Sequence, residues 1–371
     1  MPSLKKLSIE SFRNLRTALI EPGEAINLIV GVNGSGKTSL LESISVLAHG
    51  RSFRTHKYRR LINHDGSQFT IFGLVQDEDE QPFEHRMGVV RSSNGKFAIK
   101  IDGLPVHTSA ELAQRLPLLV LNANSFQLLE GASRYRRQFF DWLVFHVKHD
   151  YKNCWKAYSK CIKHRNSLLR SGKIASSEIA PWNREIAQVA EGLEQMRSEV
   201  FTPFKQAFHS ALADFVFSDG GQSVDIQYVS GWKEGANYLE QLEQSEEKDL
   251  RLGYTSIGSH RSDLKINAGK SPAVELLSRG QQKSVIVSMF LAEASVFHQL
   301  TEKRPVFLLD DLPSELDLSN LKVIGNAIQA LESQVFVTAI DSRAITECWN
   351  GPVLDDLKMF HVKHGEIHDF T

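Results

Sequence analysis

Cysteine is scarce: Cys154, Cys161 and Cys348 are the only three in 371 residues, and no CxxC pair is present. An odd, scattered set argues against a disulfide framework and against a cysteine zinc site, and it fits a reducing cytoplasm. Long apolar runs are missing too. None approaches the roughly 18–20 residues of a membrane span, and the N-terminus MPSLKKLSIESFRN has no apolar segment of signal-peptide length. There is no low-complexity tract, and neither sign of charge dominates: 43 Lys and Arg stand against 44 Asp and Glu, a net charge of −1. Overall charge therefore says nothing for or against nucleic acid, and its distribution has to be read instead. What remains is globular, with 42% hydrophobic and 23% charged residues. The length allows one large or two ordinary domains.

The first motif lies near the start. Ile26–Val30 (INLIV) reads as a short buried strand that runs into Gly31-Val32-Asn33-Gly34-Ser35-Gly36-Lys37-Thr38. Every fixed position of G-x-x-x-x-G-K-[ST] is matched. Three glycines let backbone N–H groups turn toward phosphate oxygens without a Cβ in the way. Lys37 brings a compact positive charge to the β- and γ-phosphates, and Thr38 offers a hydroxyl to Mg²⁺. The segment SLLESISVLAHG that follows has helical periodicity (Leu40, Leu41, Ile44, Leu47, Ala48), so the phosphates would lie at a helix N-terminus. ATP with Mg²⁺ is the expected cofactor.

Two acids complete such a site. Pro305-Val306-Phe307-Leu308-Leu309 is an apolar strand ending in Asp310-Asp311. Asp310 is assigned to the metal and Asp311 to the base that orients or deprotonates water, with Lys37 as its catalytic companion. Strands also end in Asp simply because they reach the surface; the P-loop upstream favours the catalytic alternative. Between the two lies Leu277-Ser278-Arg279-Gly280-Gln281-Gln282-Lys283, which opens an apolar helix (Val285, Ile286, Met289, Phe290, Ala292, Ala294). A hydroxyl and a glycine at a helix start form a second anion-binding element. One phosphate rarely needs two. The economical explanation is that Ser278, Arg279, Gly280 and Gln281 of one copy meet the ATP held by the P-loop of another.

This order of motifs resembles the ABC-type ATPase heads, and among them the RecF family of bacterial recombination mediators. Ser11-Phe12-Arg13-Asn14 matches the family's FRN element, and Gly50-Arg51-Ser52-Phe53-Arg54 its G-R-x-F-R. Gly131 with Tyr135–Asp141, Gly258–Leu264 (GSHRSDL), Leu277–Lys283, and LLDD followed by Ser314-Glu315-Leu316-Asp317 match further family blocks. The chain departs from the pattern at Pro313, at Asn122-Ala123-Asn124-Ser125, and at Ser259 in place of proline. The resemblance places Arg13 and Asn14 near the nucleotide. It also implies DNA as a ligand (duplex and single-strand/duplex junctions), an ATP-dependent homodimer, RecR and RecO as partners, and RecA as the recombinase indirectly served.

The expected fold is α/β: an ABC-type P-loop ATPase head, with a mixed sheet around the P-loop helix and an inserted, mainly helical lobe. The head is expected over 1–123 and 251–371, and the lobe over 124–250. Alternation in Phe69–Leu74 and Phe97–Ile101, with an Asn94-Gly95 turn, predicts antiparallel strands in the first part. Val335–Ala339 predicts another buried strand. The lobe lacks the sustained heptads of a long coiled-coil arm.

Charge is concentrated in this lobe. Between Arg134 and Lys173 eleven Lys or Arg face two acids, Asp141 and Asp150. Lys148, Lys152, Lys156 and Lys160 recur every four residues, which predicts one helical face; Arg51 and Arg54 belong to a second basic cluster. Both are candidates for contact with the DNA backbone, with little base specificity, although a basic run is often only a solvated face. The alternative function, the ATPase subunit of a membrane transporter, calls for a shorter distance from P-loop to signature. It also calls for a histidine after Val335–Thr338, where this chain reads Ala339-Ile340-Asp341.

Overall fold

The computed structural model describes residues 2–77, 83–171, 176–215, 223–311, 318–346, 349 and 356–369. Pro313, the Ser314–Asp317 block, Lys173 and Cys348 lie outside them. The chain divides into two compact units, residues 1–125 with 297–371, and residues 126–296.

The first unit is built on two sheets. One is antiparallel, with order β2-β1-β4-β5-β6-β7: β1 Ser3–Phe12, β2 Leu15–Ile20, β4 Gln68–Gln76, β5 Glu84–Ser92, β6 Phe97–Ile101 and β7 Leu104–Val106. Alternating burial along β4 puts Phe69, Ile71 and Val75 inward, as a one-sided sheet requires. Asn94-Gly95 turns β5 into β6, closed by Ser92 N–H on Lys96 O at 2.9 Å.

The other sheet has order β15-β14-β3-β13-β12-β8. Its members are β3 Ile26–Val30, β8 Leu118–Leu121, β12 Val306–Leu309, β13 Val335–Ala339, β14 Lys358–Lys363 and β15 Glu366–Asp369. All pairings are parallel except β14 with β15. β3, β12 and β13 are buried along their whole length, as near-continuous apolar strands of a parallel sheet should be. The P-loop helix Lys37–His49 puts Leu40, Leu41, Ile44 and Leu47 into a core shared with both sheets. β13 lies between β3 and β12. That order sets the geometry of the site.

The second unit holds the helices Ser133–Val147, Tyr151–Ser171 and Ser176–Ala213, and the signature helix Arg279–Thr301 begins in it. It also contains a three-stranded sheet: β9 Val224–Val229, β10 Asp263–Ala268 and β11 Ser271–Pro272, order β11-β10-β9. The head was expected to resume at residue 251; the compact unit instead runs to Val296. The reason is pairing. β10 is bonded along its full length to β9, and Asp263 at its start is gripped by both Arg136 Nε and Nη2 at 2.7 and 2.9 Å. The signature helix is long and apolar enough to cross a membrane by length and composition alone, and 72% of its apolar window is buried within the protein.

Candidate nucleotide-binding site

The P-loop leaves β3 at Gly31 and enters its helix at Lys37. Gly36 has φ 125°, in the range favourable only to glycine, and a Cβ there would sit 2.9 Å from Asn14 Nδ2. At Gly34 a Cβ would meet nothing within 4 Å, so the loop is open on that side. Lys37 Nζ curls over the loop and donates to Gly31 O at 2.7 Å and Val32 O at 3.1 Å. Burial lowers its pKa, against the charges of Asp311 and Asp310, which raise it. The Ser35 hydroxyl is buried without a hydrogen-bond partner among the described residues, while Val32 and Asn33 stand exposed at the tip.

The acids arrive from the carboxyl end of β12, the side of a parallel sheet where ligands bind. Thr38 Oγ1 donates to Asp310 Oδ1 at 3.0 Å across 272 residues of chain. Thr338, on the intervening strand β13, donates to the same oxygen at 3.1 Å and accepts the Asp311 N–H at 2.7 Å. Asp311 takes a left-handed φ of 57°. Burial lifts the Asp310 carboxyl above its ordinary range, while the two hydroxyls and the charge of Arg54 pull it back. These are hard oxygen donors of the kind Mg²⁺ takes, and Asp310 Oδ2 makes no hydrogen bond among the described residues. No group of three or more His, Cys, Asp or Glu able to hold a metal occurs among the described residues. A cation here would therefore be shared with oxygens of the nucleotide, so the residues fit ATP with Mg²⁺.

Arg13 and Asn14 take supporting places. Asn14 Nδ2 donates to Ser35 O at 3.0 Å and Oδ1 accepts from Ser39 at 2.8 Å, bracing the loop from behind. Arg13 is committed to Glu42, with Nε and Nη2 each at 2.8 Å, and to Arg60 O at 2.9 Å. Its guanidinium is thus held by a fully buried carboxylate of the P-loop helix. The same Glu42 accepts the Ser52 hydroxyl and lies 3.7 Å from Arg54 Nη1. Arg54 is accordingly held where Asp310 feels its charge, whereas Arg51 remains an exposed surface side chain. Glu42, Ser52 and Thr338 were not singled out from the sequence. The available signals were an acid on an otherwise apolar helix face and a hydroxyl near the end of an apolar strand. Asn122-Ala123-Asn124-Ser125 closes a tight turn after β8, with Asn124 N–H on Asn122 Oδ1 at 2.8 Å.

The signature, described within the second unit alone, is a capping box. Gln281 N–H donates to Ser278 Oγ at 3.3 Å, and Ser278 N–H to Gln281 Oε1 at 2.9 Å. Ser278, Arg279 and Gly280 are exposed, a Cβ on Gly280 would meet nothing within 4 Å, and Arg279 pairs with Glu130.

The lysine stripe is broken. Lys148 is the extended residue after helix Ser133–Val147, pairs with Glu199 at 2.6 Å, and stands before the helix that carries Lys152, Lys156 and Lys160. Lys156 and Lys160 are exposed and Lys152 is half-buried. Much of the surrounding basic run points inward: Arg165 is fully buried on Asp249 at 2.7 Å, and Arg136 is bound to Asp263.

Comparison with known proteins agrees with this frame. The family model for the RecF/RecN/SMC N terminal domain matches residues 3–366. The DNA replication and repair protein RecF of Teredinibacter turnerae is 56% identical, covering 99% of this chain and 96% of its own. That of Saccharophagus degradans is 49% identical, covering 99% of both. A solved structure of the recombination mediator protein RecF with ATPrS, in the RecFOR pathway, superposes with a TM-score of 0.84 at 25% identity, covering 100% of this chain and 99% of that one. An Smc head bound to the C-winged helix domain of ScpA shares the fold alone, with a TM-score of 0.61 at 16% identity and coverage of 100% and 98%. Nothing in these relatives favours the transporter alternative. The mixed sheet, the P-loop with its acids and the full-length likeness together show that the chain belongs to the RecF family of DNA replication and repair proteins, within the RecF/RecN/SMC group.

Proposed function

We propose that the chain is an ATP-operated DNA clamp of recombinational repair and replication-fork maintenance. Two copies close on ATP and hold DNA, hydrolysis releases them, and the cycle assists recombinase loading at gapped DNA. The observation that carries it is the convergence of Thr38 and Thr338 on one oxygen of Asp310, beside a P-loop lysine.

In this account the N–H groups of Gly31–Thr38 and the Lys37 ammonium hold the phosphates. Lys37 exchanges its bonds to Gly31 O and Val32 O for phosphate oxygens. Thr38 and Asp310 would hold Mg²⁺, which when bound neutralises charge on the transferred phosphoryl group. Asp311 orients and deprotonates the attacking water. Asn14 and the Arg13–Glu42 pair keep the loop and Arg54 in place. Ser278, Arg279, Gly280 and Gln281 reach the nucleotide of a second copy. Turnover is slow and DNA-stimulated, a switch rather than a metabolic activity, in the cytoplasm. RecO and RecR are its partners, a proposal supported by the relative described as acting in the RecFOR pathway; RecA is the recombinase it serves. Arg51, Lys152, Lys156 and Lys160 add contacts to the DNA backbone.

Light scattering on the purified chain, with and without ATP and duplex DNA, tests the clamp. The expected result is a monomer that becomes a dimer with ATP and retains DNA. A chain that stays monomeric at saturating ATP overturns it.

A further inference from the structure

Residues 253–262 of the second unit form a loop, with one 3₁₀ turn at Ser259–Arg261, on which much buried polar structure converges. Arg165 and Arg197 are both fully buried. Arg165 bonds Thr255 Oγ1 at 2.8 Å while paired with Asp249, and Asn166 Oδ1 accepts both the N–H and the hydroxyl of Thr255 at 2.7 Å. Arg197 bonds Ser259 O at 3.0 Å while gripping Asp141. Arg137 reaches Ser262 O at 2.8 Å. His260 bridges Tyr158 Oη at 2.7 Å and Thr255 O at 3.0 Å. Gly258 has φ 129°, and a Cβ there would overlap the hydroxyls of Tyr158 and Tyr238.

Burying charged groups is a poor route to stability but a good route to fixed geometry. What is held outward is a pair. Tyr254 is 40% exposed, Arg261 is exposed, and the Arg261 guanidinium lies 5.3 Å from the Tyr254 ring centre. Neither side chain makes a hydrogen bond or ion pair among the described residues. Around them Arg136 and Arg197 each hold an aspartate, Asp263 and Asp141. Arg137 and Arg261 make no ion pair among the described residues. His260 feels both: burial first, then these two arginines, bring its pKa down to about 4 despite the bond to Thr255 O.

We propose that Tyr254 and Arg261, with Arg137 behind them, contact single-stranded nucleic acid, a base stacking on the Tyr254 ring and the adjoining phosphate resting on Arg261. An aromatic face beside a fixed cation suits an unstacked base, which a duplex does not present. The proposal rests on the reading that the chain binds DNA, and adds which segment does so and in which strand form.

Fluorescence anisotropy of a labelled oligothymidylate on the full chain with ATP, across a salt series, tests it. Arg261→Gln is expected to reduce the slope of log K against log salt by about 0.7, one phosphate on a single strand. Tyr254→Ser is expected to weaken binding about tenfold on oligothymidylate and not on an abasic strand of equal length. ATP affinity and thermal melting should match the parent, since both side chains are exposed and lie outside the nucleotide motifs. Variants that bind oligothymidylate like a parent that binds it well overturn this proposal alone. A parent that binds no DNA overturns the clamp as well. Loss of poly-glutamate binding by Arg261→Gln, with Tyr254→Ser neutral on every strand, overturns it in favour of an acidic protein.

Discussion

Thr338 holds Asp311 by the backbone and Asp310 by the side chain. Its oxygen accepts the Asp311 N–H at 2.7 Å, and its single proton goes to Asp310 Oδ1 at 3.1 Å. Thr338 thereby helps to set the direction of both acids. Thr338→Val keeps shape and removes the hydroxyl that accepts the Asp311 N–H and donates to Asp310. A ten- to hundredfold fall in kcat is expected, from about 1–3 kcal/mol for an unsatisfied group, with ATP affinity within about threefold of the parent. Thr338→Ser should recover most of the loss. Equal defects in Val and Ser variants would point to packing, and normal turnover by Thr338→Val would remove the residue from the mechanism.

The two acids should separate. Asp310→Asn weakens binding of Mg·ATP, because it removes the charge beside Thr38. Asp311→Asn leaves binding intact and accumulates an ATP-bound dimer, since water is no longer activated. Lys37→Met should lower ATP affinity at least tenfold, about 1.4 kcal/mol. Equilibrium binding and single-turnover hydrolysis distinguish the three. Normal hydrolysis by both acid variants would place the catalytic carboxylates elsewhere.

Sharing of ATP between copies predicts complementation. Ser278→Arg loses a helix cap, worth about 1 kcal/mol, and blocks approach to a partner's phosphate, but its own P-loop is intact. Lys37→Met keeps its signature. Mixed together they contain one complete composite site, so partial ATPase activity should return. Silence of the mixture at high concentration, with both proteins folded by circular dichroism, would exclude cross-copy assembly.

Glu293 supplies a pH dependence. It is 1% exposed in the signature helix, neither oxygen has a hydrogen-bond partner among the described residues, and burial pushes its carboxyl well above the ordinary 4.5. The folded chain thus holds the proton that the unfolded chain releases. Stability is unaffected below about pH 4.5 and falls as pH rises from there toward the folded-state pKa. Glu293→Gln should remove that fall and raise Tm at pH 8 more than at pH 4.5, by about 2 °C for each kcal/mol recovered. Equal shifts at the two pH values would mean that the carboxyl is not neutral in the fold.

The P-loop, its strand and Asp310 were legible because each is a short local pattern in which the chemistry dictates the residue. Ile26–Val30 was predicted as a strand and is β3. Thr338 was not legible as a partner of both acids, because its meaning depends on β13 lying between β3 and β12, and order within a sheet leaves no local trace. The compact second unit runs past residue 251 for a similar reason, the long-range pairing of β9 with β10. Lys148 was misplaced because the helix break after Val147 carries neither proline nor glycine, so a period of four could be counted straight across it.

The position of β3 has a consequence for synthesis. Its two sheet neighbours begin at Val335 and Lys358, paired with Ile26 and Asn27. A ribosome therefore makes the nucleotide-binding strand long before its companions. Until then Ile26, Leu28, Ile29 and Val30 wait on a strand with both edges unpaired, an aggregation-prone condition that chaperones relieve. A nascent chain stalled before residue 335 has every residue of the P-loop and no finished sheet to hold it. Competence to bind nucleotide should therefore appear only after β13 and β14 have both emerged.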